Sequence, residues 1–286
     1  GMEPGEVVAE AARKLAGRFA AVDSRTQAHL RTVLAAYRAA RVGQDSFGSV
    51  EGYGHGDIGR DTIDEVYAKI FKTEAAMVRL QYFSGTHAIA SALFGLLRPG
   101  DHLLSITGTP YDTLFQVIGS PTPDISRRDG ERRGPTPGSL HSFGVSYSEA
   151  PLLSDNHATG AIDWAAVEAE LRPETRVILI QRSRGYAWRD AIPVEKVRSA
   201  IAEVRELARE KFPGRPWLPW VVVDNCYGEF TESIEPCFID GIETWDGTGS
   251  AGANLEIDDD RAADLIMGSL IKNCGGTIAP AGGYVA

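Results

Sequence analysis

Apolar residues change their spacing partway along the chain. In residues 6–20, Val7, Val8, Ala11, Ala12 and Leu15 recur at helical intervals, and in residues 24–42 so do Leu30, Val33, Leu34 and Tyr37. Two helices are therefore predicted, the second ended by Gly43. Asp61 is expected to cap a further helix running to about Phe71, with Asp64 and Glu65 in its first turn. Beyond it, short apolar runs alternate with amphipathic ones. Strands are predicted at 76–83, 102–107, 143–147, 176–180 and 221–223, and a last strand-like run covers 264–268. Helices are predicted at 85–97, 113–118, 163–171 and from Pro193 onward, the last with Val194, Val197, Ile201, Val204 and Leu207 on one face. Strands apolar on both faces, alternating with helices, indicate an α/β fold with a parallel or mostly parallel sheet covered on both sides.

Three stretches break this rhythm. Residues 48–60 are glycine-rich and include Tyr53, His55 and Arg60, which suggests a backbone that must approach something closely. Residues 120–140 are rich in Gly, Pro, Arg and Asp and read as a surface excursion. Residues 239–261 read as a loop or small hairpin inserted between elements. The run Asp258-Asp259-Asp260 lacks the spacing of an EF-hand loop and is expected to be a solvated acidic turn, so no metal site is expected. No internal repeat is visible. Residues 2–60 are expected to form N-terminal helices and the glycine-rich loop, and 61–286 one large domain.

Composition narrows the possibilities further. A chain of 286 residues can bury a full core. Its net charge of -10 argues against a broad nucleic-acid footprint. The three cysteines, Cys226, Cys237 and Cys274, form no CxxC pair and no disulfide framework, which fits a reducing cytoplasm. No apolar run is long enough for a membrane span, and the N-terminus carries no signal-peptide pattern, so no membrane partner is expected. Gly1 before Met2 reads as a remnant of tag cleavage.

Candidate chemistry gathers where predicted strands end, the place where open α/β sheets bind ligands. Phe83-Ser84-Gly85-Thr86-His87 stands between a strand and a helix, and offers free amides and two hydroxyls to an anion, or else a plain N-cap by Ser84. His87 could stack on a flat cofactor or pack in the first turn. Asp224 follows Val221-Val222-Val223, where a buried carboxylate needs a cation or several donors; the alternative is a cap of the next turn. Ser269-Leu-Ile-Lys272 follows the last apolar run. There a desolvated lysine with positive charge nearby could attack an aldehyde, although an exposed loop is the commoner fate of a lysine. A protonated pyridine nitrogen is one cation that suits Asp224. Neither GxxxxGK[ST] nor GxGxxG occurs, which disfavours a nucleotide-binding module.

The motifs Phe83-Ser-Gly-Thr-His-Ala-Ile-Ala, Ser105-Ile-Thr-Gly-Thr-Pro-Tyr111-Asp-Thr-Leu, Gln181-Arg-Ser-Arg-Gly-Tyr, Val223-Asp-Asn-Cys-Tyr-Gly-Glu-Phe and Gly268-Ser-Leu-Ile-Lys-Asn resemble the cystathionine-lyase-like proteins of the methionine γ-lyase, or aluminium-resistance, family. The resemblance runs from about Tyr53 to the C-terminus. It implies the large domain of a fold-type I enzyme dependent on pyridoxal 5'-phosphate (PLP), with a mostly parallel seven-stranded sheet between helices. By resemblance, Lys272 holds PLP as a Schiff base and later moves the substrate proton. Asp224 pairs with the pyridine nitrogen, Tyr111 stacks over the ring and acts in proton transfer, and Ser84, Gly85, Thr86 and Ser269 hold the phosphate. Tyr53 and Arg60 match a phosphate-binding pair contributed by a neighbouring subunit, although the Tyr-x-Arg spacing of relatives is not kept. Arg182 and Arg184 could meet the ring oxygen or the substrate carboxylate, or could be structural.

The implied activity is carbon–sulfur lysis, by β- or γ-elimination, of an amino-acid substrate such as cystathionine, cysteine or methionine. The implied assembly is a homodimer or homotetramer with a shared active site. The same Lys/Asp framework serves aldolases and aminotransferases, and a non-catalytic PLP-binding protein is a further alternative. Residues 239–261 read as an insertion relative to the family, and the small C-terminal domain expected after Lys272 is missing, which suggests a truncated chain.

Overall fold

The computed structural model describes residues 3–48, 53, 55–119, 136–153, 161–238, 260–276 and 278–286. Most of the predicted excursion at 120–140, residues 120–135, and most of the predicted insertion at 239–261, residues 239–259, lie outside them.

The N-terminal segment is one helix, α1 (Pro4–Ala39), and not the two expected. The gap expected between them, at residues 21–23, is helical. The Thr26 hydroxyl donates back to the Val22 carbonyl, 3.0 Å away, and is satisfied inside a continuous helix. Only Ala36 on this helix is buried, and Val8, Phe19 and Leu30 are exposed. The helix α2 (Ile58–Phe71) starts earlier than expected. Its cap is Asp57, whose side chain accepts from the Arg60 amide at 3.1 Å, and Asp61 sits in the first turn.

Seven strands form the main sheet: β1 (Met77–Arg79), β2 (His102–Ser105), β3 (Ser146–Glu149), β6 (Thr175–Gln181), β7 (Trp220–Asp224), β8 (Leu265–Ser269) and β9 (Gly283–Val285). The small β4 (Leu152–Leu153) and β5 (Ala161–Ile162) pair separately. The order across the main sheet is β1-β9-β8-β7-β6-β2-β3. Strand β9 alone is antiparallel to its neighbours, so the other six share a direction and a common carboxyl edge. The expected strand at 143–147 begins later, because residues 141–143 form a tight 3-10 turn closed by Gly144 in the left-handed region. The strand expected at 76–83 stops at Arg79, and β9 was not anticipated.

The central strands are buried on both faces, as a covered parallel sheet requires. Leu103, Val177, Leu179, Val222 and Met267 face α3 (Gly85–Leu96) and α4 (Asp112–Ile118). Leu104, Ile178, Ile180, Val221, Val223 and Ile266 face the other way, toward α2, α5 (Trp164–Glu170) and α6 (Val194–Lys211). The predicted α6 stripe of Val194, Val197, Ile201 and Val204 is wholly buried there, with Leu207 at its margin.

Leu179→Ala is expected to cost about 2–5 kcal/mol in urea denaturation with the slope unchanged, because Leu179 has no exposed surface. An unchanged midpoint would contradict this packing.

Candidate active site

The segments that leave the shared carboxyl edge after β1, β2, β6, β7 and β8 bring their polar residues together. At the start of α3 the Ser84 hydroxyl accepts from the His87 amide at 3.3 Å. Gly85 is buried beside it. A side chain at Gly85 would place its first carbon 3.0 Å from Ser269 Cβ and 3.2 Å from Cys226 Sγ. The amide-bearing end of α3 therefore touches the turns after both β7 and β8, an approach that glycine permits. Thr86 Oγ1 lies 3.0 Å from the Tyr111 hydroxyl and 3.1 Å from Thr113 Oγ1. Tyr111 is fixed from its backbone too, since its amide donates to Gln181 Oε1 at 3.0 Å.

Asp224 ends β7 and is 1% exposed. The Cys226 amide donates to its Oδ1 at 3.1 Å. Burial pushes this carboxyl upward, opposed by Cys226 and by the charge of Lys272. Lys272 follows β8, with Nζ 4.2 Å from the centre of the Tyr227 ring. Burial pulls its ammonium down, but Cys226, Asp224 and Tyr227 carry the balance above the ordinary lysine value. The desolvation expected from the sequence is present. The groups acting on the lysine are acidic ones, where nearby positive charge was expected. Burial and Asp224 likewise push the Tyr111 phenol upward, so it stays protonated. The lysine turn is tight, because a side chain at Gly275 would collide with the Leu270 carbonyl.

A residue not singled out from the sequence also belongs here. Glu229 is fully buried, accepts from the Tyr284 hydroxyl at 2.9 Å on Oε1, and has no hydrogen-bond partner for Oε2 among the described residues. Its backbone carbonyl accepts from Asn273 Nδ2 at 2.9 Å, which ties the Asp224 loop to the Lys272 loop. Burial pushes its carboxyl up to about 7, with Glu235 and Asp224 adding to the rise. Its only sequence signal was a carboxylate in the otherwise apolar setting between Gly228 and Phe230.

The structure brings Ser84, Gly85, Thr86, Tyr111, Asp224, Ser269 and Lys272 to one place. It leaves out the others. His87 packs edge-on against Tyr82, with ring centres 5.7 Å apart. Tyr53 is 83% exposed. Arg60 pairs with Asp57 at 2.9 Å. Arg182 is structural: its buried guanidinium donates to the Ile192 and Gly228 carbonyls, Asn225 Oδ1, Thr231 and Glu232. Arg184 instead lies over the Trp188 ring, at the edge of a cavity of about 410 Å³ that shares Tyr111 and Gln181 with the cluster.

These residues fit PLP. An amide-rich helix start beside Ser269 suits a phosphate, a buried carboxyl at a strand end suits a ring nitrogen, and a half-buried lysine faces both. The strand order, the lone antiparallel β9 and this edge define the large domain of a fold-type I PLP enzyme. The chain belongs to the methionine gamma-lyase family, whose model matches residues 5–247 and 255–286. Family membership implies a PLP cofactor.

Among relatives, an uncharacterized Bacillus subtilis protein, YnbB, is 42% identical over 253 residues, covering 88% of this chain and 49% of that protein. A Clostridium novyi structure described as a carbon-sulfur lyase involved in aluminum resistance is 36% identical, covering 98% of this chain and 56% of that one, with a TM-score of 0.77. A Listeria monocytogenes structure, described as a candidate cystathionine beta-lyase involved in aluminum resistance, is 38% identical, covering 99% and 60%, with a TM-score of 0.78. The chain thus spans about half the length of the curated relatives it matches.

The raised Glu229 carboxyl has a thermodynamic consequence. Its folded value, about 7, exceeds the ordinary 4.5, so the folded state holds this proton more tightly than the unfolded state. Its contribution is fully present below pH 4.5 and is lost as pH rises through 7, an effect on the order of 3 kcal/mol. Glu229→Gln keeps an acceptor for Tyr284 and cannot ionise. Its denaturation free energy is expected to vary less between pH 5 and 8 than that of the wild type; parallel curves would refute the assignment.

Proposed function

We propose that the intact protein is a PLP-dependent carbon–sulfur lyase that cleaves a sulfur amino acid such as cystathionine, cysteine or methionine by β- or γ-elimination. The convergence of Lys272, Asp224 and the start of α3 at one sheet edge carries this reading. Its resemblance to a structure described as a carbon-sulfur lyase supports it. When bound, PLP supplies an electron sink for charge developing at the substrate's α-carbon.

The chain's own residues then divide the work. Lys272 would hold the cofactor, and its amine is the group that would take the α-proton. Asp224 would meet the pyridine nitrogen: a carboxyl pushed upward by burial gains most from a cation placed against it. Ser84, Gly85, Thr86 and Ser269 would hold the phosphate, with the amides of the α3 start as donors. Tyr111 would stack on the ring, and its protonated phenol suits donation to the departing sulfur. Tyr53 and Arg60 serve the phosphate of a neighbouring subunit in a homodimer or homotetramer, a role that suits the exposure of Tyr53.

Mixing the intact protein with PLP is expected to produce the absorbance of a lysine-bound cofactor, and Lys272→Ala to abolish it. Release of thiol together with pyruvate or 2-oxobutyrate is expected to fall roughly a thousandfold or more in that variant. A Lys272→Ala protein that keeps the absorbance would overturn the cofactor assignment. Amino-group transfer without thiol release would point to an aminotransferase instead.

A further inference from the structure

The cavity beside Tyr111 lies between the ends of β2, β3 and β6. Its volume, about 410 Å³, suits part of a small molecule. It adjoins the candidate site directly, because Gln181 on its wall is the cross-strand neighbour of Asp224.

Two of its wall residues, Arg184 and Glu149, carry opposite charges and form no ion pair among the described residues. Of the three arginines in this loop, Arg182 is consumed by structural bonds, and Arg189 donates to the carbonyls of Asp190, Gln181 and Ser183. Arg184 has neither a hydrogen bond nor an ion pair for its guanidinium among the described residues. It rests against Trp188, 5.1 Å from the ring centre. Glu149 is held on both oxygens by neutral hydroxyls, Thr109 on Oε1 and Tyr147 on Oε2, each at 2.7 Å. Two such donors orient the carboxylate and bring no opposite charge to it. Arg184 and Glu149 form no ion pair with each other, although both line the same cavity. Here one is anchored by hydroxyls and the other by a tryptophan face, so both stay available to a ligand.

We infer that this cavity is a subsite for a second amino-acid head group, with Arg184 taking its carboxylate and Glu149 its ammonium. It would select thioether substrates that end in a distal amino acid, as cystathionine does, over those that end in a methyl group. This rests on the lyase reading and deepens it. The exposed Trp188 and Tyr186 supply apolar faces for the connecting chain.

The test is calorimetric titration of the intact, cofactor-free protein with L-cystathionine and with L-methionine. Cystathionine is expected to bind at least tenfold more tightly. Arg184→Gln and Glu149→Gln should each bring the ratio close to one, and Arg184→Lys should retain part of the preference. Quenching of Trp188 emission by cystathionine, absent in Trp188→Phe, would place the ligand. A wild type without preference overturns the inference, as does a preference that survives Arg184→Gln. Arg184 is exposed, so that variant decides even if Glu149→Gln fails to fold. Absorbance of lysine-bound PLP in parallel samples judges the lyase reading separately, because calorimetry on the cofactor-free protein does not depend on it.

Discussion

The structure depends on one close approach. The start of α3 lies against the turns after β7 and β8, with Gly85 only far enough from Ser269 and Cys226 to admit a hydrogen atom. This contact sets where the helix amides point, and thereby where an anion can sit. It also brings into one neighbourhood a carboxyl and a lysine that lie far apart in sequence. A side chain at position 85 would force Ser269 and Cys226 to give way by a few tenths of an ångström, at the place where the anion site meets both turns.

Burial organises the electrostatics around that contact. Asp224, Tyr111, Cys226 and Glu229 are all pushed toward their protonated forms, and Lys272 toward its charged form. Placing a cationic ring beside Asp224 would change the balance for every member, since Asp224 acts on Tyr111, Cys226, Glu229 and Lys272 alike.

Much of this was legible in the sequence because it is local. The two-faced burial of β6 and β7, the stripe of α6, and the positions of Ser84, Asp224 and Lys272 at strand ends all follow from neighbouring residues. What escaped is non-local or depends on competition between bonds. Strand β9 is three residues long and is defined by its partners β1 and β8. The unity of α1 turned on whether Thr26 would cap a new helix or bond backward. Glu229 gains its character from Tyr284 and Asn273, which reach it only in the folded chain. The sorting of Arg182 from Arg184 likewise required knowing which carbonyls the first would meet.

Strand β9 also bears on how the molecule assembles. It lies between β1 and β8, pairing with the strand that precedes Ser84 and with the strand that precedes Lys272. In the main sheet β1 touches β9 alone. The strand before Ser84 is therefore fastened to the main sheet by a single short segment that lies far from it in sequence. Such long-range pairings raise contact order and slow folding. The α3 arm of the site is, in kinetic terms, joined to the Lys272 arm through one of the most non-local pairings in the sheet.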